Sequence, residues 1–324
     1  MKLAIAAVLG ILIASPAPAA GPVRIIYDTD MGNDVDDAIG LALLHALETR
    51  GECRLLAVTI SKDNRYSAPF ISLFNTFYGR PDIPLGAVRN GKTPEDGNYT
   101  KAAVSAKLYP FKSGEPLDAV TLLRRVLAKE ADGSVTIVQV GFSTNLARLL
   151  ESGPDDASPL SGRDLAARKV AQLVLMAGHF PAGPPEYNVK IDIPAAQTLV
   201  SKWPGKLVTS GFEVGNSIQY DPGRLATDFA YAKQHPLVDA YRAYRRMPYA
   251  EPLWDPSAVL YAVRPYPAYF SLSPPGTILV DEKGSTTFAE SAAGNHRYIM
   301  VNDAQRAAVR EAISTLMSEP PRRY

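Results

Sequence analysis

Residues 25–44, IIYDTDMGNDVDDAIGLALL, run an apolar stretch straight into a loop that bears Asp28, Asp30, Asp34, Asp36 and Asp37. Ile25, Ile26 and Tyr27 predict a short buried strand. From Ala38, the apolar residues Ile39, Leu43 and Ala46, with Leu44 and Leu47 beside them, recur at helical spacing. Strand, acidic loop and helix in that order constrain the fold, because ligand sites of open α/β sheets lie at the carboxyl ends of strands.

Five acids in so short a loop repel one another unless something offsets their charge. Asp36 and Asp37 fall at the start of the helix, where free N–H groups and the positive dipole end favour anions. A bound divalent cation offsets far more, and a hard ion such as Ca2+ takes six to eight oxygen ligands. A solvated acidic turn with Asp as helix cap is the plainer alternative. It explains one or two of these residues but not five.

The 324 residues suit one large α/β domain or two smaller ones, and the 46% hydrophobic content supports a sizeable core. A formal net charge of +1 with no basic block argues against a nucleic-acid partner. Residues 1–20 read as a cleavable signal peptide: Lys2, an apolar run over 3–14, then SPAPAA, with cleavage after Ala19 or Ala20. That implies a secreted or periplasmic protein with no stable membrane insertion after cleavage. Cys53 is the single cysteine, so no internal disulfide can form, and its apolar strand marks it as a small core residue. Self-association is left open.

Along the chain, strands are expected over 53–60, 83–88, 135–140, 170–177 and 207–210. Helices are expected over 66–78, 117–130, 194–203 (with Pro194 at its first position), 225–249 and 304–317. Residues 91–114 read as a long surface loop. Residues 277–280 and 286–288 read as a hairpin. Alternating strands and helices predict a mostly parallel, Rossmann-like open sheet with helices on both faces. With no internal repeat or linker, residues 21–324 read as one domain. The tyrosines 231, 241, 244 and 249 suit core packing, with a base-stacking wall as the alternative.

Asp28-Thr29-Asp30-Met31-Gly32 followed by Asp36-Asp37-Ala38 resembles the N-terminal metal motif of the inosine-uridine-preferring nucleoside hydrolases, D-T-D-P-G, a residue, then D-D-A. Two extra residues precede the acid pair here, which leaves Asp34 without a counterpart. Further likenesses follow in the family's order. Asn64 falls at a strand end where the family has a structural Asn. Val140-Gly141-Phe142-Ser143-Thr144-Asn145 is similar to the family's T-G-P-L-T-N strand end, Glu186-Tyr187-Asn188 to its E-F-N, and Trp254-Asp255-Pro256 to its H-D-P. The resemblance implies Ca2+ held by Asp30, Asp37, Asp255 and the main-chain oxygen of Val140. It implies Asp36 as general base, and Glu186 and Asn188 on the ribose hydroxyls. Asn64, Trp254 and His179 complete the candidate substrate-binding set.

The implied activity is hydrolysis of the N-glycosidic bond of a nucleoside or related N-riboside. Two departures stand out. Trp254 replaces the late His that protonates the departing base in the family, and an indole cannot act as that acid, though it can stack on a base. The stretch 178–185 is shorter than its counterpart and lacks the usual sugar-binding Asn, a space that His179 can fill. Phe212-Glu213 is a further candidate for the pocket wall. An exported ribose- or nucleoside-binding protein without turnover is the alternative reading. A haloacid-dehalogenase-type phosphohydrolase fits poorly, since Gly32 stands where that family needs Thr or Val.

Overall fold

The structure, a computed structural model, describes residues 21–107, 109–112 and 114–321; the leader read over 1–20 lies outside them. Its strands in chain order are β1 (Val23–Thr29), β2 (Cys53–Lys62), β3 (Leu85–Lys92), β4 (Leu117–Asp118), β5 (Val135–Gln139), β6 (Val170–Met176) and β7 (Ala182–Gly183). They continue with β8 (Leu207–Ser210), β9 (Gln219–Tyr220), β10 (Glu251–Pro252), β11 (Ser271–Leu272), β12 (Gly276–Val280), β13 (Thr286–Glu290) and β14 (His296–Met300). The main sheet runs β4-β3-β2-β1-β5-β6-β8-β14-β12-β13-β7, with β11 beside β14. Pairing is parallel from β4 through β14 and antiparallel from there to β7. It is a mostly parallel mixed α/β sheet.

The apolar run at the start of β1 is continuous because the strand is central and covered on both faces. Ile25 and Tyr27 pack into one apolar layer with helices Asp36–Thr49 and Trp254–Val263, while Ile26 packs into the other with Leu123, Leu127 and Leu146. Strand order reverses at β1, with β2 to one side and β5 to the other, so the loops after β1 and β5 open onto a common crevice.

The first helix begins at Asp36, so both acids lie in its first turn, as the sequence places them. Two expectations need correction. Residues 91–114 are not a loop throughout: β3 runs to Lys92, and Asn98–Ala106 is a helix that buries Tyr99, Thr100 and Ala103. Its apolar face is too narrow to stand out between polar flanks. The helix expected over 225–249 is broken into Leu225–Asp228 and Pro236–Tyr244. Pro236 cannot continue a helix from its amino-terminal side, and the His235 ring nitrogen accepts from Leu237 N to start a new one. The hairpin β12–β13 forms, but it joins the parallel sheet through β14, a strand whose polar His296 and Arg297 mask its pattern.

Candidate active site

The acidic loop divides its carboxylates between two tasks. Asp28, at the end of β1, accepts from Thr59 Oγ1 (2.5 Å) and Asn145 Nδ2 (2.8 Å), which ties β1 to β2 and to the helix after β5. Burial pushes its carboxyl up to about 7. Asp30, Asp34 and Asp36 line the crevice, and Asp37 lies beside Asp34 and Asp36. Asp30 Oδ2 accepts from Asn33 Nδ2 (2.6 Å), and Asn33 Oδ1 accepts from the buried Lys62 ammonium (2.8 Å). The Thr29 hydroxyl donates to Asp37. The hydroxyl of Tyr99, a fully buried residue, accepts from Gly32 N and donates to the Asp34 carbonyl, each at 2.7 Å, and so clamps the loop from outside.

Asp255, in the first turn of helix Trp254–Val263, joins this group from the far end of the chain; its N–H donates to Asp36 Oδ2 (3.0 Å). Asp34, Asp36 and Asp37 each offer a carboxylate oxygen within 4.8 Å of the others. Asp34, which has no counterpart in the motif, therefore belongs to the cluster.

Such a cluster is costly as free anions. Burial, with the Asp34 charge adding, pushes Asp30 up to about 7. Burial together with neighbouring aspartates holds Asp36, Asp37 and Asp255 well above the usual carboxylate range. Asp36 Oδ1 and Asp37 Oδ2 are buried with no hydrogen-bond partner among the described residues. Two orphaned hard oxygens in the first turn of one helix, in a nest of like charge, are what a divalent cation takes as ligands. The residues fit such an ion.

Gly141 brings β5 to this cluster. A Cβ there would lie 2.3 Å from Ser61 Oγ and 2.5 Å from Asp30 N, so only glycine lets the strand end approach the acidic loop. That approach sets the Val140 carbonyl at the cavity, where it accepts from Asn188 Nδ2 (2.7 Å). The same amide also donates to Met176 O (3.1 Å), so both its hydrogens are used and Oδ1 is the acceptor that remains. Glu186 caps the helix Tyr187–Ile191: its carboxylate accepts from Asn188 N (2.9 Å), Val189 N (3.3 Å) and Gly178 N (3.1 Å). Burial pushes it up to about 7 against those hydrogen bonds.

Opposite the acids stands an aromatic wall. Trp254 Nε1 donates to Phe212 O (3.0 Å), the Phe212 and Trp254 ring centroids lie 5.3 Å apart, and those of His179 and Phe212 lie 4.8 Å apart. The cavity enclosed measures about 310 Å³, room for a small molecule. A groove of about 1020 Å³ beside Phe77, Tyr231 and Pro321 has no such gathering of carboxylates.

Among the sequence candidates, Asp30, Asp36, Val140, His179, Glu186, Asn188, Trp254 and Asp255 line this one cavity, with Asp37 in the same acidic cluster. Asn64 does not line it. β2 runs two residues past its expected end at Ile60, and Asn64 instead holds residues 94–96 through Pro94 O (2.9 Å), Glu95 O (3.2 Å) and Asp96 Oδ1 (3.2 Å). Lys62 occupies the position beside the acidic loop. Phe212 lines the cavity, whereas the Glu213 carboxylate turns to Phe180 N (3.3 Å). Met176, Pro185 and Tyr187 complete the lining and carried no chemical signal of their own.

Carboxylates gathered at the carboxyl edge of a mostly parallel sheet, with hydroxyl acceptors and an aromatic wall around one small cavity, mark an enzyme site on a mixed α/β fold. The sequence model of the inosine-uridine preferring nucleoside hydrolases matches residues 25–314, and the chain belongs to that family of N-ribohydrolases. The pyrimidine-specific ribonucleoside hydrolase RihA of Enterobacter sp. (strain 638) is 29% identical over 266 residues, covering 74% of this chain and 79% of that protein. Among solved structures, a plant nucleoside hydrolase, PpNRh1, superposes with a TM-score of 0.71 at 21% identity, covering 92% of this chain and 100% of that one. The purine-preferring ribonucleoside hydrolase from Gardnerella vaginalis gives 0.70 at 18%, covering 91% and 98%. Both structural likenesses are of fold.

Proposed function

We propose that this protein hydrolyses the N-glycosidic bond of a nucleoside or related N-riboside, releasing ribose and free base, with Ca2+ as its cation and Asp36 as general base. One observation carries the reading: Asp30, Asp36, Asp255, the Val140 carbonyl, Glu186 and Asn188, from four separate segments of the chain, meet at one small cavity.

Asp30, Asp37, Asp255 and the Val140 carbonyl would hold Ca2+, which supplies the positive charge that orients water and eases its loss of a proton. Asp36 is anchored through Oδ2 by Asp255 N–H, and its unpartnered Oδ1 is the atom that takes the proton from water. Asn188 Oδ1 and the remaining lone pairs of Glu186 are acceptors, so they suit the donating hydroxyls of a sugar. Holding those hydroxyls fixes the ring while C1′ acquires oxocarbenium character. Trp254 and Phe212 offer a flat apolar surface to the base. The acceptance of a hydrolytic substrate outside the cell follows if the leader over 1–20 directs export.

A panel of nucleosides and p-nitrophenyl riboside, assayed for free base and reducing sugar, tests the reading. Turnover of any N-riboside supports it. Ribose binding without turnover on the whole panel would instead favour the binding-protein alternative that Trp254 suggests.

A further inference from the structure

A buried ammonium stands beside the acidic loop and pairs with none of its carboxylates. Lys62, at the end of β2, is buried, and among the described residues its Nζ donates to Asn33 Oδ1 (2.8 Å) and Thr93 O (2.8 Å). Burial lowers the pKa of that ammonium, and the nearby Asp30 charge opposes the shift. Buried charges are ordinarily paired directly. Here an amide is interposed instead, with Asn33 Nδ2 donating to Asp30 Oδ2 (2.6 Å).

The amide gives this chain of contacts a direction. An ammonium only donates, so the Asn33 atom facing it is the carbonyl oxygen, which turns the amide NH2 toward Asp30. The reverse orientation would set N–H against the ammonium and oxygen against the carboxylate. Lys62 therefore fixes the flip of Asn33, and its charge polarises the amide that it holds. Both ends are braced. Lys62 pairs with Lys92 in the sheet, and its stem lies over Gly32, where a Cβ would come within 3.4 Å of Lys62 Cδ. Thr93 holds a φ of 50°, uncommon for a β-branched residue, at the point where its carbonyl accepts from Lys62. Asn33 N also donates to Asp30 O (3.3 Å), which keeps the side chain near the carboxylate. Asn33 itself belongs to residues 33–35, which stand where the family motif has a single residue.

Resting on the Ca2+ reading of the site, we propose that Lys62 is a positioning residue of the cation centre. Acting through Asn33, it holds Asp30 by Oδ2 and so presents Oδ1 to the ion. The interposed amide matters, because a direct ion pair would occupy the ligand and bring a positive charge against the cation. Orientation and charge act with opposite signs. Losing the relay frees Asp30 and weakens Ca2+ binding, whereas losing the ammonium charge alone removes a repulsion and strengthens it. Orientation outweighs charge here.

The test titrates Ca2+ calorimetrically into the cation-stripped full chain as wild type, Lys62→Met, Asn33→Ala and the double variant, with thermal unfolding to show that each is folded. The Kd for Ca2+ is expected to rise by about 10–100-fold in each single variant and no further in the double. Equal or tighter binding by Lys62→Met would overturn the proposal, and so would losses that add in the double. Asn33 is half-buried, so Asn33→Ala carries the test alone if Lys62→Met does not fold; an unchanged Kd there is equally fatal. Asn64→Ala, which loosens residues 94–96 without touching Asn33, is expected to bind Ca2+ like wild type. An equal loss in that variant would assign the effect to loop bracing and overturn the relay. A wild type that binds no Ca2+ would overturn the cation reading itself, so the two failures are distinguishable.

Discussion

Asp36 has one carboxylate oxygen anchored by Asp255 N–H and one buried without a partner. This asymmetry separates orientation from proton transfer. Asp36→Asn keeps the shape and an acceptor for Asp255 N–H but cannot take a proton. Steady-state kinetics should show kcat lower by about 10²–10⁴-fold, with ribose binding retained because Glu186 and Asn188 are untouched. At the same scale, residue chemistry explains what the sequence hid. Asp34 has no counterpart because two residues are inserted before the acid pair, and only the folded loop brings it to Asp36 and Asp37. Asn64 matched a motif position yet spends its amide on residues 94–96, while the buried Lys62 reaches Asn33 beside Asp30. A strand-end polar run does not say which of its members points inward.

Elements that fill a buried sheet were the easiest to read. Strands such as Val135–Gln139 and Val170–Met176 are apolar runs because both faces are covered, and that pattern survives in one dimension. Helix Asn98–Ala106 was not legible, since most of it is solvated and its main inward contact is Tyr99. Yet this helix braces the acidic loop from outside. Tyr99→Phe removes the acceptor for Gly32 N and the donor to Asp34 O, leaving buried polar groups unpaired. A loss of about 1–3 kcal/mol is expected in denaturant unfolding, together with weaker cation binding by titration. Destabilisation with unchanged cation affinity would mean that the loop keeps its shape without the clamp.

Across the whole molecule, the site concentrates buried carboxyls whose protons are favoured by folding. Burial pushes Asp28, Asp30 and Glu186 up to about 7, and Glu251, a fully buried carboxyl beside Asp34, up to about 8. A carboxyl with a raised folded-state pKa contributes stability that is full below its unfolded value, about 4, and is lost as pH rises through the folded value. Cation-free protein should therefore show a Tm that falls from about pH 5 to about pH 8, and Ca2+ should raise Tm more at the upper end. The architecture accounts for this arrangement. A mostly parallel sheet that reverses strand order at β1 gives two neighbouring strand ends, one acidic and one offering a carbonyl, and helix Trp254–Val263 closes the group with Asp255.

The central claim is that the crowded loop after β1 is part of a cation-dependent site for N-riboside hydrolysis. Its most direct test strips the protein of divalent cations, measures ribose release from a nucleoside hydrolysed by the untreated protein, and titrates Ca2+ back. The account predicts that release stops on stripping and returns saturably, with Asp255→Ala needing far more Ca2+. Undiminished release from the stripped protein, or Ca2+ binding by Asp255→Ala equal to wild type, would contradict it.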